Sequence, residues 1–307
     1  MSSVVEWREA TKRYRGVTAV ENVSLSLEAG EATALVGHNG AGKTTLIKLL
    51  LGLIRPSAGR VLIGGVDAAG RGGADARRKI GFLPESVAFH GAMTGTELMA
   101  FYAKLKGEPR ERNAELLERV GIADAAHRRV ATYSKGMRQR LGIAQALIGA
   151  PRLLLFDEPT SGLDPASRRD VYQMIDALRG SGATVLISTH ALAEVENRVD
   201  RAAIMHRGRL LAAGTLDQLR HGVEAEVPLK LRVRHCSTGQ VIAALPPGVR
   251  CAERSDSTLT LYAAPGAKMA ALRAVAQAGD LVEDIEVRSP GLQELYDHLV
   301  GAAERAA

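Results

Sequence analysis

The feature that constrains this fold most is a glycine-rich stretch of nine residues. It runs Gly37-His38-Asn39-Gly40-Ala41-Gly42-Lys43-Thr44-Thr45. The stretch matches the pattern G-x-x-x-x-G-K-[ST], which carries meaning only between a strand and a helix. An apolar run at residues 32–36 precedes it, and a helical pattern begins at residue 45. Because this context is present, we predict a phosphate-binding loop in an α/β core rather than an ordinary glycine-rich turn.

Each residue type in this loop suits phosphate. Glycines let successive backbone N–H groups point at phosphate oxygens, and the helix N-terminus adds a favourable dipole. The Lys43 amine is expected to reach the β- and γ-phosphates, and the Thr44 hydroxyl is expected to bind Mg²⁺. The predicted nucleotide-binding residues of the loop are Gly37, Asn39, Gly40, Ala41, Gly42, Lys43, Thr44 and Thr45.

Length and net charge limit the number of domains and the classes of binding partner, but they do not select one partner. A chain of 307 residues suggests two domains, and a net charge of +6 suits a nucleotide, a nucleic acid or an anionic membrane surface. Two cysteines argue against a disulfide framework and fit a reducing compartment. No signal peptide is evident, and no apolar run approaches the roughly 18 residues of a membrane span. We therefore expect a soluble protein that reaches a membrane through a partner.

Two adjacent carboxylates follow an apolar run at residues 153–156. Four consecutive apolar residues are typical of a strand buried on both faces, and ligand sites in α/β proteins form at the carboxyl ends of such strands. Asp157 is expected to hold Mg²⁺, and Glu158 to polarise the attacking water. The structural alternative is a pair of acids that merely enter a turn, and the P-loop makes that interpretation the weaker one.

Three further positions have both a binding and a structural interpretation. Tyr14, flanked by basic residues, could stack on an adenine ring or be an ordinary strand tyrosine. Ser134 and Gly136 open a predicted helix, where serine caps the N-terminus and the exposed N–H groups can bind an anion. His190 ends the apolar strand at residues 184–190 and could contact the γ-phosphate or the attacking water, although a lone histidine is usually structural.

In this order, the motifs resemble those of the ATP-binding subunits of ABC transporters, over residues 4 to about 220. Walker A is GHNGAGKTT, the signature is YSKGM, Walker B is LLLFDE, the D-loop is SGLD, and His190 is the switch histidine. The resemblance implies a P-loop NTPase fold, with a RecA-like α/β core and both an antiparallel β and an α-helical subdomain.

The resemblance also assigns roles. It implies ATP and Mg²⁺ as cofactors, and ATP hydrolysis with Glu158, His190 and Lys43 as catalytic residues. Two copies would form a head-to-tail homodimer. Each ATP would lie between one Walker A and the other subunit's Ser134 and Gly136, and Asp164 of the D-loop is a further predicted nucleotide-binding residue.

Three departures from the family pattern bear on function. The signature differs from the usual LSGGQ at three letters but keeps its two phosphate-binding residues. Glu85 stands where the Q-loop glutamine is expected, and its carboxylate can still offer oxygen to Mg²⁺ or water. His38 stands where proline is frequent, and its side chain is expected to point away from the phosphates.

The signature YSKGM and the Q-loop sequence LPE look like the branch whose permeases are of the ABC-2 type. Within it, the whole chain is similar to the NosF-type ATPases of nitrous oxide reductase maturation systems. The similar segments are IGFLPESVAFHGAMTG, TYSKGMRQRLGIAQALIGAPRLLLFDEPTSGLDP and, outside the catalytic motifs, EDIEVRSPGLQELY. This implies a NosY-like membrane permease contacting Glu85 and residues 87–94, and a NosD-like periplasmic partner. The chain would sit at the cytoplasmic face of the inner membrane and help to build a copper–sulfur centre.

The pattern changes from Glu224 onward. Strands are predicted at residues 229–233, 249–252, 258–262 and 282–287, and helices at 240–245, 268–278 and 292–300. The order βαββαβ with a final helix is a ferredoxin-like arrangement. We therefore predict an ABC ATPase domain at residues 1–222 and an accessory α+β domain at 223–307.

Other functions fit parts of the sequence. A multidrug or other ABC-2 exporter would use the same machinery, and a soluble ABC ATPase acting on nucleic acid would suit the basic charge. Because the chain has one cassette and no sustained heptads, we expect no nucleic-acid partner. A regulatory module would usually lack Lys43 or Glu158. His235, Cys236, Cys251 and Met269 suggest a copper site by residue type, but their spacing matches no metal motif.

Overall fold

A computed structural model describes residues 3–222, 226–235, 237–264 and 266–305. The chain divides into two compact units, unit 1 (Met1–Ala213) and unit 2 (Gly214–Ala307). Unit 1 contains two sheets and a helical region, and unit 2 contains one sheet with its own helices.

The first sheet of unit 1 is antiparallel and has the strand order β2-β1-β4-β5. Its strands are β1 (Ser3–Tyr14), β2 (Val17–Glu28), β4 (Ala58–Ile63) and β5 (Val66–Asp67). The inward residues of β1 alternate with outward ones, as expected of a sheet with one covered face. Trp7 is fully buried, and its indole N–H donates to the Leu46 carbonyl at 3.3 Å. This is the antiparallel subdomain that the sequence predicts.

The second sheet of unit 1 has six strands in the order β10-β9-β3-β8-β7-β6. They are β3 (Ala32–Val36), β6 (Ile80–Leu83), β7 (Leu153–Asp157), β8 (Thr184–Thr189), β9 (Arg201–His206) and β10 (Arg209–Thr215). The pairs β3–β8, β3–β9, β6–β7 and β7–β8 are parallel. Every residue of β3, β7 and β8 is buried, which explains their unbroken apolar runs. The carboxyl ends of β3, β7 and β8 therefore meet at one edge of the sheet.

Seven α-helices belong to the described part of unit 1. They are α1 (Lys43–Leu50), α2 (Gly73–Arg78), α3 (Gly95–Lys106), α4 (Asn113–Arg119), α5 (Lys135–Ala146), α6 (Pro165–Gly180) and α7 (Leu192–Val195). Helix α3 begins with a capping box, in which Thr94 and Glu97 each accept a hydrogen bond from the other's backbone N–H. Helices α3, α4 and α5 pack together and form the α-helical subdomain that the resemblance implies.

Unit 2 has a four-stranded antiparallel sheet in the order β12-β13-β11-β14. Its elements are α8 (Leu216–Gly222), β11 (Val227–Val233), α9 (Thr238–Ala243), β12 (Val249–Arg254), β13 (Thr258–Ala263), α10 (Lys268–Gln277), β14 (Val282–Val287) and α11 (Leu292–Arg305). Alternate residues of β11 and β13 enter an aliphatic core, closed by residues of α9 and α10 such as Val241 and Ala271. From β11 to β14 the order is βαββαβ, the arrangement that the sequence predicts.

The boundary between the units differs from the predicted one at residue 222. It lies between Ala213 and Gly214, because α8 packs with α11 of unit 2. The Arg220 guanidinium also donates to the Pro290 carbonyl at 3.0 Å. Helix α8 therefore belongs structurally with the C-terminal unit.

Candidate nucleotide-binding site

The loop between β3 and α1 has the conformation that its glycines permit. Gly42 lies just before α1 with φ of 103°, a left-handed conformation that favours glycine. A Cβ atom at Gly42 would also lie 2.7 Å from the Ala19 carbonyl oxygen, and one at Gly37 would lie 2.6 Å from that of Met205. The loop is therefore packed tightly against β2 and β9, and larger residues would displace it.

Lys43 is the first residue of α1 and is 6% exposed. Its amine donates to the Gly37 carbonyl and lies 3.4 Å from the His38 carbonyl. It also lies 3.4 Å from Oε1 of Glu158. The predicted phosphate-binding lysine and the predicted water-polarising glutamate are thus neighbours, although 115 residues of sequence separate them.

A cavity of about 470 Å³ opens over the loop. Nine of the predicted site residues line it, namely Asn39, Gly40, Ala41, Gly42, Lys43, Thr44, Thr45, Glu85 and Glu158. Five lining residues were not predicted to bind the nucleotide, namely Val17, Thr18, Ala19, His38 and Arg207. His38 is among the lining residues, and the expectation that its side chain points away from the phosphates stays a prediction.

Asp157 and Glu158 follow one another at the end of β7 and are both buried. The Ser188 hydroxyl of the adjacent strand β8 donates to Oδ1 of Asp157. Glu158 has φ of 47°, a left-handed conformation that is uncommon for a residue with a side chain. This turn of the backbone directs the chain out of the sheet, and the Glu158 carboxylate meets Lys43 rather than solvent.

His190 follows the end of β8, and its side chain is 53% exposed. Its Nδ1 lies 2.9 Å from Oε2 of Glu158. Because an ionised carboxylate only accepts hydrogen bonds, we assign the proton of this contact to Nδ1. Lys43, Glu158 and His190 therefore form one line of contacts at the carboxyl edge of the sheet.

Other predicted residues lie outside the cavity wall. Ser134 caps α5 by accepting from the Met137 N–H at 3.1 Å, so its predicted capping role is confirmed. Asp164 caps α6 by accepting from the N–H groups of Ala166 and Ser167, both at 3.0 Å. Hydrogen bonding from Ser167 holds the pKa of Asp164 below its ordinary value. Gly136 lies against the Ser167 hydroxyl, where a Cβ would come within 2.6 Å.

Tyr14 ends β1 and is 43% exposed. The Lys12 amine lies 5.0 Å from the centre of its ring, within the range of a cation–π contact. On this side the cavity is lined by Val17, Thr18 and Ala19 instead. Adenine stacking on Tyr14 stays a prediction.

The residues present fit a nucleotide with a divalent cation. Oε1 of Glu158 is buried, and the described residues offer it no hydrogen bond beside the Lys43 amine at 3.4 Å. Thr44, Asp157 and Glu85 offer oxygen ligands, the type that Mg²⁺ prefers. Gly40 and Gly42 line the cavity without side chains, which leaves the loop backbone accessible to phosphate oxygens.

Arg207 and Ser188 are candidate functional residues that sequence reasoning missed. Arg207 occupies the turn between β9 and β10, with φ of 45°. The next residue ties this turn to the P-loop, since the Gly208 N–H donates to the Ala41 carbonyl at 3.0 Å. Nothing in the local sequence distinguishes either residue, because each reaches the site only through sheet pairing.

Comparisons with known proteins agree with this geometry. The family model described as ABC transporter matches residues 20–161. Daunorubicin resistance ATP-binding protein DrrA3 of Streptomyces coeruleorubidus is 36% identical over 307 residues, covering 96% of this chain and 95% of that protein. Daunorubicin/doxorubicin resistance ATP-binding protein DrrA of Streptomyces peucetius is 38% identical, covering 75% of this chain and 70% of that protein.

Among solved structures, one described as the ATP binding subunit of an ABC transporter superposes with a TM-score of 0.65. It is 33% identical and covers 72% of this chain and 93% of its own. This chain therefore belongs to the family of ABC transporter ATP-binding proteins. It is an ATP-hydrolysing transporter subunit with the P-loop NTPase fold, and it uses ATP with Mg²⁺. Members of this family typically dimerise and pair with a membrane permease.

The described residues show two absences, one relevant to membrane insertion and one to metal binding. None of their helices combines the length and apolarity that crossing a bilayer requires. Nor do they group three or more histidine, cysteine or acidic side chains as a metal site would. Cys251 is an exposed free cysteine, and Cys236 lies outside the described residues.

Proposed function

We propose that ATP hydrolysis by this chain drives an ABC-2-type permease that serves maturation of the copper centre of nitrous oxide reductase. The observation that supports hydrolysis most directly is the line of contacts from Lys43 through Glu158 to His190, at 3.4 and 2.9 Å. A site that only bound nucleotide would not need a buried carboxylate beside the phosphate-binding lysine.

Each residue of this line has a proposed role. Lys43 binds the β- and γ-phosphates and neutralises charge as the bond to the γ-phosphate breaks. Glu158 orients the attacking water and accepts its proton, and His190 holds the Glu158 carboxylate from the other side. Thr44, Asp157 and Glu85 would hold Mg²⁺, which supplies charge neutralisation when bound.

Ser134, Gly136 and Asp164 are proposed to act on the ATP of a second copy. All three belong to or flank helix N-termini, where free N–H groups and the helix dipole favour a phosphate. They do not line the cavity over the P-loop of their own chain. We therefore propose a head-to-tail homodimer in which these residues complete the partner's site.

The permease is proposed to contact the chain beside Glu85. Phe89, four residues beyond Glu85, belongs to a partly exposed aromatic cluster: its ring centre lies 6.1 Å from that of Tyr102, which lies 5.4 Å from that of Phe101. Phe101 is 47% exposed and Leu105 67% exposed, an apolar surface that a helix of the permease could cover. This contact would hold the chain at the cytoplasmic face of the inner membrane.

The cargo is proposed from two observations that point to different systems. The segment EDIEVRSPGLQELY, outside the catalytic motifs, supports a NosF-like role with NosY-like and NosD-like partners. The two Streptomyces relatives, whose names refer to daunorubicin resistance, favour drug export as the second candidate. Both candidates share the ATPase machinery, so only the partner and cargo separate them.

Deletion and complementation in the encoding organism test the proposal. We expect deletion to leave nitrous oxide reductase without its copper centre, as judged by its visible absorption. Wild type and the Glu283→Gln variant in unit 2 should restore the centre, whereas Glu158→Gln should not. An intact copper centre in the deletion strain, accompanied by new sensitivity to daunorubicin, would overturn the maturation role and support drug export.

A further inference from the structure

Ser188 lies on β8 directly opposite Asp157 of β7, and it is fully buried. It precedes the switch residue His190 by two positions. Buried hydroxyl groups normally have hydrogen-bond partners, so the identity of those partners shows what the residue does. Here both partners belong to the pair of residues proposed to act on Mg²⁺ and on water.

The Ser188 hydroxyl connects Asp157 with Glu158. Its hydrogen is donated to Oδ1 of Asp157. Its oxygen accepts from the Glu158 N–H at 3.1 Å, and the Ser188 carbonyl accepts from the same N–H, also at 3.1 Å. A serine hydroxyl has one donor and two acceptor sites, and this arrangement uses the donor on one residue of the pair and an acceptor on the other.

The hydrogen bond from the Glu158 N–H to Ser188 lies at a residue with an unusual backbone conformation. Glu158 has φ of 47°, which is unfavourable for a residue with a side chain. Such a conformation persists where the surroundings hold it, and the two acceptors of Ser188 hold the Glu158 N–H. The orientation of the Glu158 side chain toward Lys43 and His190 depends on this conformation.

We propose that Ser188 is a positioning residue that fixes Asp157 and Glu158 in the relative orientation required for ATP hydrolysis. This inference rests on the roles proposed above for that pair. One hydroxyl contacts both the Asp157 carboxylate and the Glu158 backbone N–H, so its loss disturbs the metal ligand and the water-orienting residue together. Residues that orient metal ligands typically contribute about 10–100-fold to metal affinity or activity.

The test compares Ser188→Ala with Thr184→Val on the same strand. Thr184 is also buried, and its hydroxyl accepts from the Gly30 N–H at 2.9 Å, at the other end of β8. Each variant loses one buried hydroxyl group that accepts a hydrogen bond from a backbone N–H. Thr184→Val therefore reports the purely structural cost, and Ser188→Thr, which keeps the hydroxyl, tests rescue.

We expect Ser188→Ala to lower kcat for ATP about 10–100-fold while KM changes less than about threefold. Without turnover, Mn²⁺ affinity in the presence of a non-hydrolysable ATP analogue should fall about tenfold by electron paramagnetic resonance. Thr184→Val should leave both quantities within about twofold, even if its Tm falls equally. Ser188→Thr should recover most of the lost Mn²⁺ affinity.

The outcomes separate this inference from the function it rests on. If Ser188→Ala keeps wild-type kcat and Mn²⁺ affinity while Glu158→Gln is inactive, Ser188 does not position the pair and the proposed function stands. The same conclusion follows if Thr184→Val loses as much as Ser188→Ala. If Glu158→Gln itself hydrolyses ATP at the wild-type rate, the proposed function fails first.

Discussion

Unit 1 buries charged and polar side chains at one edge of its second sheet, whereas the described interior of unit 2 is built mainly from apolar side chains. Lys43, Asp157, Glu158 and Ser188 are all buried in unit 1 and contact one another in pairs. In unit 2, Thr238 is the polar residue buried among the described side chains, and it accepts from the Arg254 guanidinium at 3.0 Å.

This difference indicates where the chemistry lies. Burying a charge costs free energy unless it is paired, so such groups are kept inside a protein mainly where function requires them. The charged pairs of unit 2, such as Arg250 with Glu226, are exposed and contribute little stability. Unit 1 is thus organised around a reaction, and unit 2 around a conventional apolar core.

The prediction with the largest expected effect tests whether the cores of unit 1 and unit 2 are stabilised independently of each other. Leu231→Ala removes a fully buried side chain from the unit 2 core, and it should lower the free energy of unfolding of that unit by about 2–5 kcal/mol. Calorimetry should show one transition shifted down and a second unchanged, with ATP affinity retained. The control variant is Lys230→Ala, which changes the exposed residue next to Leu231. A parallel loss of ATP affinity would show that the units depend on each other.

Removal of the buried cation of unit 1 should affect binding. Lys43→Ala deletes the amine that is proposed to reach two phosphates, and each charge-assisted hydrogen bond is worth about 1.5–3 kcal/mol. ATP affinity, measured with a fluorescent analogue, should therefore fall about 100-fold or more. The variant Lys48→Ala, changed on the exposed face of the same helix, should bind ATP with wild-type affinity. Equal affinities of the two variants would contradict the predicted role.

A smaller effect is expected at the cavity rim. Arg207→Ala removes a cation from the wall of the nucleotide cavity, and we expect KM for ATP to rise about 5–10-fold with kcat little changed. Arg209, on the same hairpin, pairs with Glu21 at 2.8 Å and does not line the cavity. Arg209→Ala should therefore leave KM unchanged, and an equal rise in both variants would indicate a general effect of the hairpin.

The smallest effect compares helix caps in the two units. Thr94→Ala removes the capping box of α3 and should cost about 1 kcal/mol of stability. Ser237, before α9, makes no capping hydrogen bond through its side chain, so Ser237→Ala should cost almost nothing. Chemical denaturation of the full chain measures both, and similar losses would contradict the difference in capping.

The same cap gives a pH dependence. Hydrogen bonding from the Thr94 backbone lowers the pKa of Glu97 below its ordinary value of 4.5. Because the folded-state pKa is the lower one, the stabilisation is present above pH 4.5 and is lost as pH falls through the lowered pKa. Glu97→Gln, which cannot ionise, should therefore be less stable than wild type at neutral pH and converge with it in acid.

Most of the architecture follows from local patterns. The apolar runs at residues 32–36, 153–156 and 184–189 predict buried parallel strands, and the structure has β3, β7 and β8 there. The βαββαβ order of unit 2 follows from alternating and helical periodicity in the same way. Ser134 is a recognisable cap because a serine directly precedes a helical pattern.

What could not be predicted depends on contacts between distant segments. Ser188 meets Asp157 because two parallel strands are in register across 31 residues of sequence, and no motif marks that pairing. Arg207 reaches the cavity because a hairpin turn is hydrogen-bonded to the P-loop. The boundary between the units lies at residue 213 rather than 222 because α8 packs with α11. The sequence of α8 does not indicate this contact.

The central claim is that the buried carboxylate of unit 1 drives transport through ATP hydrolysis. The most direct test is ATP turnover by the purified chain, alone and with its permease, for wild type and Glu158→Gln. We predict slow turnover by wild type alone, stimulation by the permease, and loss of turnover in Glu158→Gln, which should accumulate as an ATP-bound dimer. If wild type binds ATP but shows no Glu158-dependent hydrolysis even with the permease present, the chain is a nucleotide-gated binding subunit and the account is wrong.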